Sequence, residues 1–551
     1  MNGWSKPGPS PPLDLWHPLR VEERTPTRAW PEIAAQAGLL AAVAVFLWDA
    51  WPIQPHVDDA YISYRYARNL VEGAGLVFNP GEYVEGFTNP LWTLLVAAGL
   101  AAGFGAKQTA HTLGVASGVA TLIAMFAYAR ALLPRSRSWL AALPPFVLVG
   151  SVSLPRWSTS GLETVLFTAW VTAALAFRAS DRRGWLTASA ILATATRPEG
   201  ALLAALLLGL PLLQSPRDPR QWRPVLVYAA AVVAMTLARL FYYGSPLPNT
   251  FFAKVGGSDP AFGVQNLQIF LAQGAGVLLP AVLAACWLER RARLGGLVCL
   301  AWLGYVVAVG GDYFATRFLL PIHPPLAALA ACGASAAWDA RRVVGVAIGL
   351  CLPAALAIEF SGVGLPEGAG HAPSQDRSRW ARLSAIRHID RSLERMGQRQ
   401  VRQLRERIEP TSVVATTGIG VIGYETRLTI LDLLGLVDAT IARSGAAPGR
   451  TGPPGHQRSN ADYVLGRRPD YILIPRRPDD PGRAPVVHAI RDLWEHPDFD
   501  RLYRWDPGLP GYRRRAEDAR PGSASGLDFA DCILASANVS DRRILSYRFG
   551  R

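Results

Sequence analysis

Between residues 31 and 360 this chain is a succession of apolar runs separated by short polar links. Hydrocarbon in that quantity, cut into pieces about the length of a bilayer crossing, constrains the fold to a multi-spanning helical membrane bundle. The first run, residues 31–53, is long enough to cross and lacks a small-residue cleavage site, so it reads as a span and not as a signal peptide. Later runs fall near 109–132, 139–155, 163–178, 184–197, 199–213, 225–243, 273–288, 296–311, 317–338 and 343–360. A shorter run, 90–104, reads either as a span or as a helix lying in the interface. Across all 551 residues the mean hydropathy is only +0.16, so soluble sequence must dilute the membrane block. That sequence is a Pro-rich polar arm over residues 1–30 and everything after 360.

Arginine decides the topology. The net charge is +14, and only Lys6, Lys107 and Lys254 are lysines, a bias that with the Ala/Gly/Pro richness suggests a GC-rich bacterial genome. A basic chain also suits nucleic acid, but these arginines sit in short loops between apolar runs, where they report orientation. If 90–104 does not cross, Arg130, Arg135 and Arg137 fall in the cytoplasm. The clusters Arg178/Arg182/Arg183, Arg217/Arg220/Arg223, Arg290/Arg291/Arg293 and Arg341/Arg342 then fall there too. The alternative puts every cluster outside. We therefore expect eleven spans in a bacterial inner membrane, with the N-terminus cytoplasmic and the C-terminus extracytoplasmic. Cys286, Cys299, Cys332, Cys351 and Cys532 show no paired spacing, so neither a disulfide framework nor a zinc site is supported.

With that topology the remaining polar motifs all emerge on the outer face. The first outer loop, 54–108, opens with the adjacent carboxylates Asp58 and Asp59. VEGFTN follows with Glu85 and Asn89, then SGLET with Glu163 and TRPEG with Arg197 and Glu199. YYGSPLPNTFFAK carries Asn249 and Lys254, and GGDYFATRF carries Asp312 and Arg317. Carboxylates kept at a bilayer surface are costly, and a one-sided cluster of acids and bases implies a site. Asp58 and Asp59 read as a base or nucleophile pair, or as a helix N-cap before AYISYRYARNL. Lys254 reads as a point charge for phosphate, or as an interfacial anchor. Arg197 and Arg317 each stand beside a carboxylate, Glu199 and Asp312, and either clamp phosphate or satisfy that neighbour. Glu163 and Glu85 suit capping as well as substrate contact, and His323 reads as a packed histidine.

The soluble region, 361–520, is expected to be a small α/β domain: a charged amphipathic helix over 377–408, then the strand-like SVVATT, LTILD and DYILIP. Between the first two strands stands a GxGxxG string, Gly418 to Gly423. A dinucleotide site needs a crossover helix before the next strand and an acid ~20 residues on. Here only a few residues intervene and Asp432 comes too soon, so nucleotide binding is not expected. Residues 521–551 carry no readable pattern.

As an ordered set, DDAYISYRYARNLVEGAGLVFNPG, TRPEGALL, YYGSPLPNTFFAK, GGDYFATRFLLP and GVIGYETRLTILDLLGLVDATIA resemble the GT-C membrane glycosyltransferases, over roughly residues 32 to 480. Within them the set is similar to the branch that includes the terminal arabinofuranosyltransferases of mycobacterial cell-wall arabinan. The resemblance implies an outward cavity, a polyprenyl-phosphate sugar donor, a cell-envelope glycan acceptor and a catalytic carboxylate at Asp58 or Asp59. One departure bears on the acceptor: where the family leads us to expect an acid before GIGVIGY, Thr417 stands. The expected activity is transfer of a sugar, arabinofuranose among the options, on the periplasmic side. Two rivals remain open, a glycolipid flippase and a non-catalytic envelope-assembly protein. A divalent cation at the acidic pair is also left open, and so is the stereochemical outcome.

Overall fold

The computed structural model describes residues 30–52, 56–254, 260–312, 314–361, 379–444, 455–478 and 487–515. The polar arm, the tail after 520 and Cys532 lie outside them. Helix α1 (Trp30–Ala50) leads to α2 (Asp58–Val71), α3 (Pro90–Ala101) and α4 (Ala106–Leu132). Seven helices among the described residues are long and apolar enough to cross a membrane. They are α1, α4, Pro219–Tyr243, Pro260–Leu288, Arg290–Ala308, Arg317–Ala340 and Arg342–Ser361, and shorter apolar helices stand among them, including Thr164–Ala179 and Gly200–Gln214. Helix α1 is about 30 Å long, the thickness of a bilayer core, and carries exposed tryptophans near both ends, Trp30 at one and Trp48 and Trp51 at the other. Such rings mark the two interfaces.

Arg317–Ala340 is the central helix, 94% buried, whereas no residue of the apolar window of Pro219–Tyr243 is buried. Small residues bring the packed helices close. A Cβ on Gly333 would stand 1.8 Å from the Ala281 carbonyl oxygen, and one on Gly118 would meet the Phe46 ring at 2.2 Å. The run near 139–155 is not one helix: it divides into a 3₁₀ turn at Arg135–Ala142 and the short helices Leu143–Gly150 and Ser153–Ser158. Pro144, Pro145 and Gly150 supply the breaks. Helix α3 packs at both ends against residues at the Asp58 end of the bundle. Trp92 Nε1 donates to the Gly161 carbonyl (3.1 Å), and Gly99 abuts Thr109 in the first turn of α4. It therefore lies across that end of the bundle. We call that the acidic end; the arginine clusters gather at the other.

Beyond the bundle, the charged helix Arg379–Arg407 precedes a five-stranded sheet. Its strands are β1 (Val413–Thr416), β2 (Thr429–Asp432), β3 (Tyr471–Leu473), β4 (Tyr503–Asp506) and β5 (Gly511–Arg514), in the order β2-β1-β3-β5-β4. β1 pairs parallel to β2 and β3, and the other pairings are antiparallel. The strict alternation of a strand decides what each face buries. Ala415, Leu431 and Ile472 face a core with Ile441, Leu493, Trp494 and Phe499. Val414, Ile430, Tyr471 and Leu473 face the other way, into a core with Ile62 and Tyr66 of α2 and Phe78 and Phe87 of the first loop. The soluble sheet thus shares a hydrophobic core with the first loop of the bundle.

Candidate active site

Arg65 anchors that shared core. Only 1% exposed, its guanidinium lies over the Phe78 ring and donates to the carbonyls of Phe78 (2.6 Å), Gly423 (2.9 Å) and Leu428 (2.8 Å) and to Asn79 Oδ1 (3.1 Å). Burial pulls its pKa down to about 9, which leaves it charged at neutral pH. Asn79 extends the edge of β2, donating to the Ile430 carbonyl (2.8 Å) and accepting from its N–H (3.1 Å). On the same side Asn249 Nδ2 donates to the carbonyls of Gly435 (2.8 Å), Leu436 (3.0 Å) and Asp438 (3.2 Å). Asp432 shapes the loop that presents them, accepting from the N–H groups of Leu434 (2.9 Å) and Val437 (3.0 Å), and burial pushes its pKa up to about 6. Asn249 and Asp432 therefore fasten the two regions together.

The acidic pair divides its work. Adjacent residues of a helix point about 100° apart, so Asp58 and Asp59 meet different partners. Asp58 Oδ1 accepts from the Val421 N–H (2.8 Å) and Oδ2 from the Gly420 N–H (3.0 Å). The N-cap reading is thus corrected in its target: no side chain caps α2, and Asp58 caps the helix Gly420–Thr426 of the soluble region. This helix also corrects the expectation of no room for a crossover, since seven residues make two turns between the parallel strands β1 and β2. The N–H groups that a dinucleotide site would turn to phosphate here hold a carboxylate. A Cβ on Gly420 would lie 1.9 Å from the Asp58 carbonyl oxygen, which accounts for a glycine there.

Asp59 instead acts electrostatically on Lys254, at the end of the short helix Asn249–Lys254, and so do Arg317, Arg197 and Asp312. Asp58 and Lys254 both keep solvent exposure, yet burial is the largest influence on each: it raises the Asp58 pKa and lowers that of Lys254. Both stand on surface that the surrounding protein largely screens from bulk water. The stem of Lys254 packs against Gly455.

The arginines are more committed than their sequence positions suggest. Arg197 donates to Glu163 Oε1 (2.8 Å) and Glu199 Oε1 (2.8 Å) and lies over Phe318. Glu163 accepts from Asn89 (2.8 Å), which accepts in turn from Ser63 of α2 (3.2 Å), while Glu199 accepts from Tyr305 (3.0 Å). Arg317 pairs with Asp312 and lies over Phe314. Glu85 pairs with Arg239, outside this group. His323 is buried beside Phe270, as expected of a packed histidine. Among the described residues no carboxylate is in ion-pair contact with Lys254; Asp59 and Asp312 act on it from farther away. No group of three or more carboxylate, histidine or cysteine side chains that could hold a metal ion is found among the described residues, and no step below uses such an ion.

The sequence did not point to Arg65, nor to the cluster beside the acidic pair. There Tyr61, Tyr64 and Tyr424 pack edge to face or tilted at 5.3–6.0 Å. Tyr61 donates to Glu394 of the helix Arg379–Arg407 (2.9 Å), which also pairs with Lys107. Tyr64 meets His56 Nδ1 at 2.6 Å, and burial, with Lys107 and His111, pushes His56 down to about 3. It stays neutral and acts as a fixed partner. The spacing of YISYRY on α2 was the available signal, since it alternates aromatic rings with a buried cation.

Residues 385–518 match a family described as a domain of unknown function (DUF8728). The chain is similar to the terminal beta-(1->2)-arabinofuranosyltransferase of Mycobacterium tuberculosis, 32% identical over 239 residues, covering 40% of this chain and 38% of that protein. To the protein of that name from Corynebacterium glutamicum it is 30% identical over 342 residues, covering 52% and 48%. The matches thus span less than half the length of these curated relatives. In fold it is similar to ArnT from Cupriavidus metallidurans, solved bound to undecaprenyl phosphate, with a TM-score of 0.50 at 16% identity over 78% of this chain and 90% of that one. That likeness, with the seven apolar helices, shows a multi-span helical membrane fold.

Proposed function

We propose that this chain is an integral membrane glycosyltransferase. It moves a sugar from a polyprenyl-phosphate carrier to a hydroxyl of a cell-envelope glycan, at the acidic end of an eleven-span bundle, on the periplasmic side. Arabinofuranose is the sugar the sequence relatives favour. One observation carries this reading: Asp59 of α2 and Lys254, far apart in the chain, lie within electrostatic reach of each other, and the donor phosphate enters a cavity between them. In the transfer, the acceptor oxygen bonds to the anomeric carbon while the bond from that carbon to the phosphate oxygen breaks. The proton of the acceptor hydroxyl passes to Asp59. The electron pair of the broken bond stays on the phosphate, which gains a negative charge, and Lys254 meets that charge most strongly in the transition state. Arg197 and Arg317, held by their own carboxylates, shape the field around it. Asp58 is a positioning residue that keeps the soluble region over the cavity. A flippase would use similar surfaces but break no bond. Purified protein in detergent micelles, which offer no second compartment, should release one polyprenyl phosphate per glycan extended when given polyprenyl-phospho-arabinofuranose and an arabinan acceptor. Donor left intact under these conditions would favour transport.

Lys254→Ala should weaken donor binding and slow turnover together, and Lys254→Arg should restore only part of the loss. The pH dependence gives a second readout. The protonated ammonium carries the affinity, and its pKa is lowered by burial. Wild-type donor affinity should therefore fall, as pH rises, before the ordinary lysine value of ~10.4 is reached. The arginine form should stay flat through that window. Identical pH profiles would remove Lys254 from the site.

Orientation has its own test. Cysteines at Ser136, by the arginine end, and Gln403, exposed on the charged helix, should label oppositely in a variant lacking the native cysteines. An impermeant thiol reagent should reach Gln403→Cys in intact spheroplasts and Ser136→Cys only after lysis. Labelling of Ser136→Cys in intact cells would place the site in the cytoplasm.

A further inference from the structure

A cavity of about 530 Å³ lies at the arginine end. Its place follows from α1: the turn Arg135–Ala142 abuts Gly38, and Arg130 pairs with Glu32 near the start of that helix, whereas the chain leaves its other end toward Asp58. The walls are hydrocarbon, with Leu143, Phe146, Leu352 and Leu356 among them, and the exposed rings of Trp139 and Trp338 stand at the rim. The polar lining is Arg137, bonded to Asp339 and the Ser335 carbonyl, with Ser335 itself. Arg135, Arg341 and Arg342, from the turn and the link that frame the cavity, are exposed.

We infer that this cavity holds one acyl chain of an anionic glycerophospholipid, whose headgroup sits among these arginines. The walls offer water almost no partners, so the occupant is hydrocarbon, and the adjacent leaflet supplies it. The headgroup is anionic because the arginines around the opening outnumber Asp339, and basic pockets between spans select such lipids. A polyprenyl phosphate does not suit the cavity as a donor: its phosphate would lie a membrane thickness, about 30 Å, from Lys254.

Gly349 provides a clean test. It lines the cavity, and a Cβ placed on it meets no atom within 4 Å. Gly349→Phe therefore fills the space without displacing the chain. Delipidated protein is titrated with phosphatidylglycerol or phosphatidylcholine, and bound lipid is counted by native mass spectrometry. Wild type should take up phosphatidylglycerol at least ~10-fold more tightly than phosphatidylcholine. Gly349→Phe should lose that site while keeping its lipid-free melting temperature and its affinity for polyprenyl phosphate. The double substitution Arg341→Gln, Arg342→Gln should lose the headgroup preference and keep the uptake. Equal uptake of the two lipids by wild type, uptake unchanged by Gly349→Phe, or displacement of the bound lipid by polyprenyl phosphate would each overturn the inference.

Discussion

Asp59→Asn should lower transfer by at least ~10²-fold, with little change in melting temperature, because the substitution keeps size and removes basicity at the atom that takes the acceptor proton. Asp58→Asn should behave differently. An amide offers one acceptor oxygen where two N–H groups, of Gly420 and Val421, now find two. The second N–H would face an NH₂ donor, and a hydrogen bond to a charged group is worth about 1.5–3 kcal/mol. Its main effect should fall on stability and on the docking of the soluble region, with a smaller loss of turnover. Initial rates with purified donor, alongside thermal melts, distinguish the two carboxylates. If Asp58→Asn abolishes transfer at unchanged stability while Asp59→Asn remains active, the two roles are reversed.

The largest stability effect is expected at Arg65. Arg65→Met keeps the length of the stem and deletes all four hydrogen bonds; the Gly423 and Leu428 carbonyls lose their side-chain donor in a buried setting, while the Phe78 carbonyl and Asn79 Oδ1 keep Asn69 and the Ile430 N–H. At about 1–3 kcal/mol for each unsatisfied group, the loss should reach at least ~2 kcal/mol. Hydrogen exchange should locate it, with protection falling in Gly420–Thr426 and β2 while the central helix Arg317–Ala340 stays protected. Uniform loss across the bundle would mean that Arg65 supports the whole fold and not the junction.

What the sequence made legible is what short-range pattern controls. The apolar runs mark the helices, and the charged helix expected at 377–408 is observed at Arg379–Arg407. SVVATT, LTILD and DYILIP became β1, β2 and β3. Of the polar motifs, those carrying Asn89, Glu163, Arg197 and Glu199 meet in one hydrogen-bonded group. Partners chosen over long distances were not legible. The partners of Asp58 are amides 362 and 363 residues away. Arg197 had a visible neighbour in Glu199 but also took Glu163, from another helix end. The short crossover helix after the first glycines of the string was missed because two turns leave little periodicity to read. Strands β4 and β5 were missed for a similar reason: four residues each around Gly508–Gly511 give almost no alternation.

The central claim is that a lipid-carried phosphate meets Lys254 beside Asp59. A cryo-EM structure of the purified protein with polyprenyl phosphate tests it most directly. The predicted result is a phosphate oxygen ~2.7–3.2 Å from Lys254 Nζ, in the cavity that Asp59 shares, with Arg197 still paired to Glu163 and Glu199. Phosphate density at the arginine end beside Arg137, or at Arg197 with its ion pairs broken and Lys254 untouched, would contradict the account.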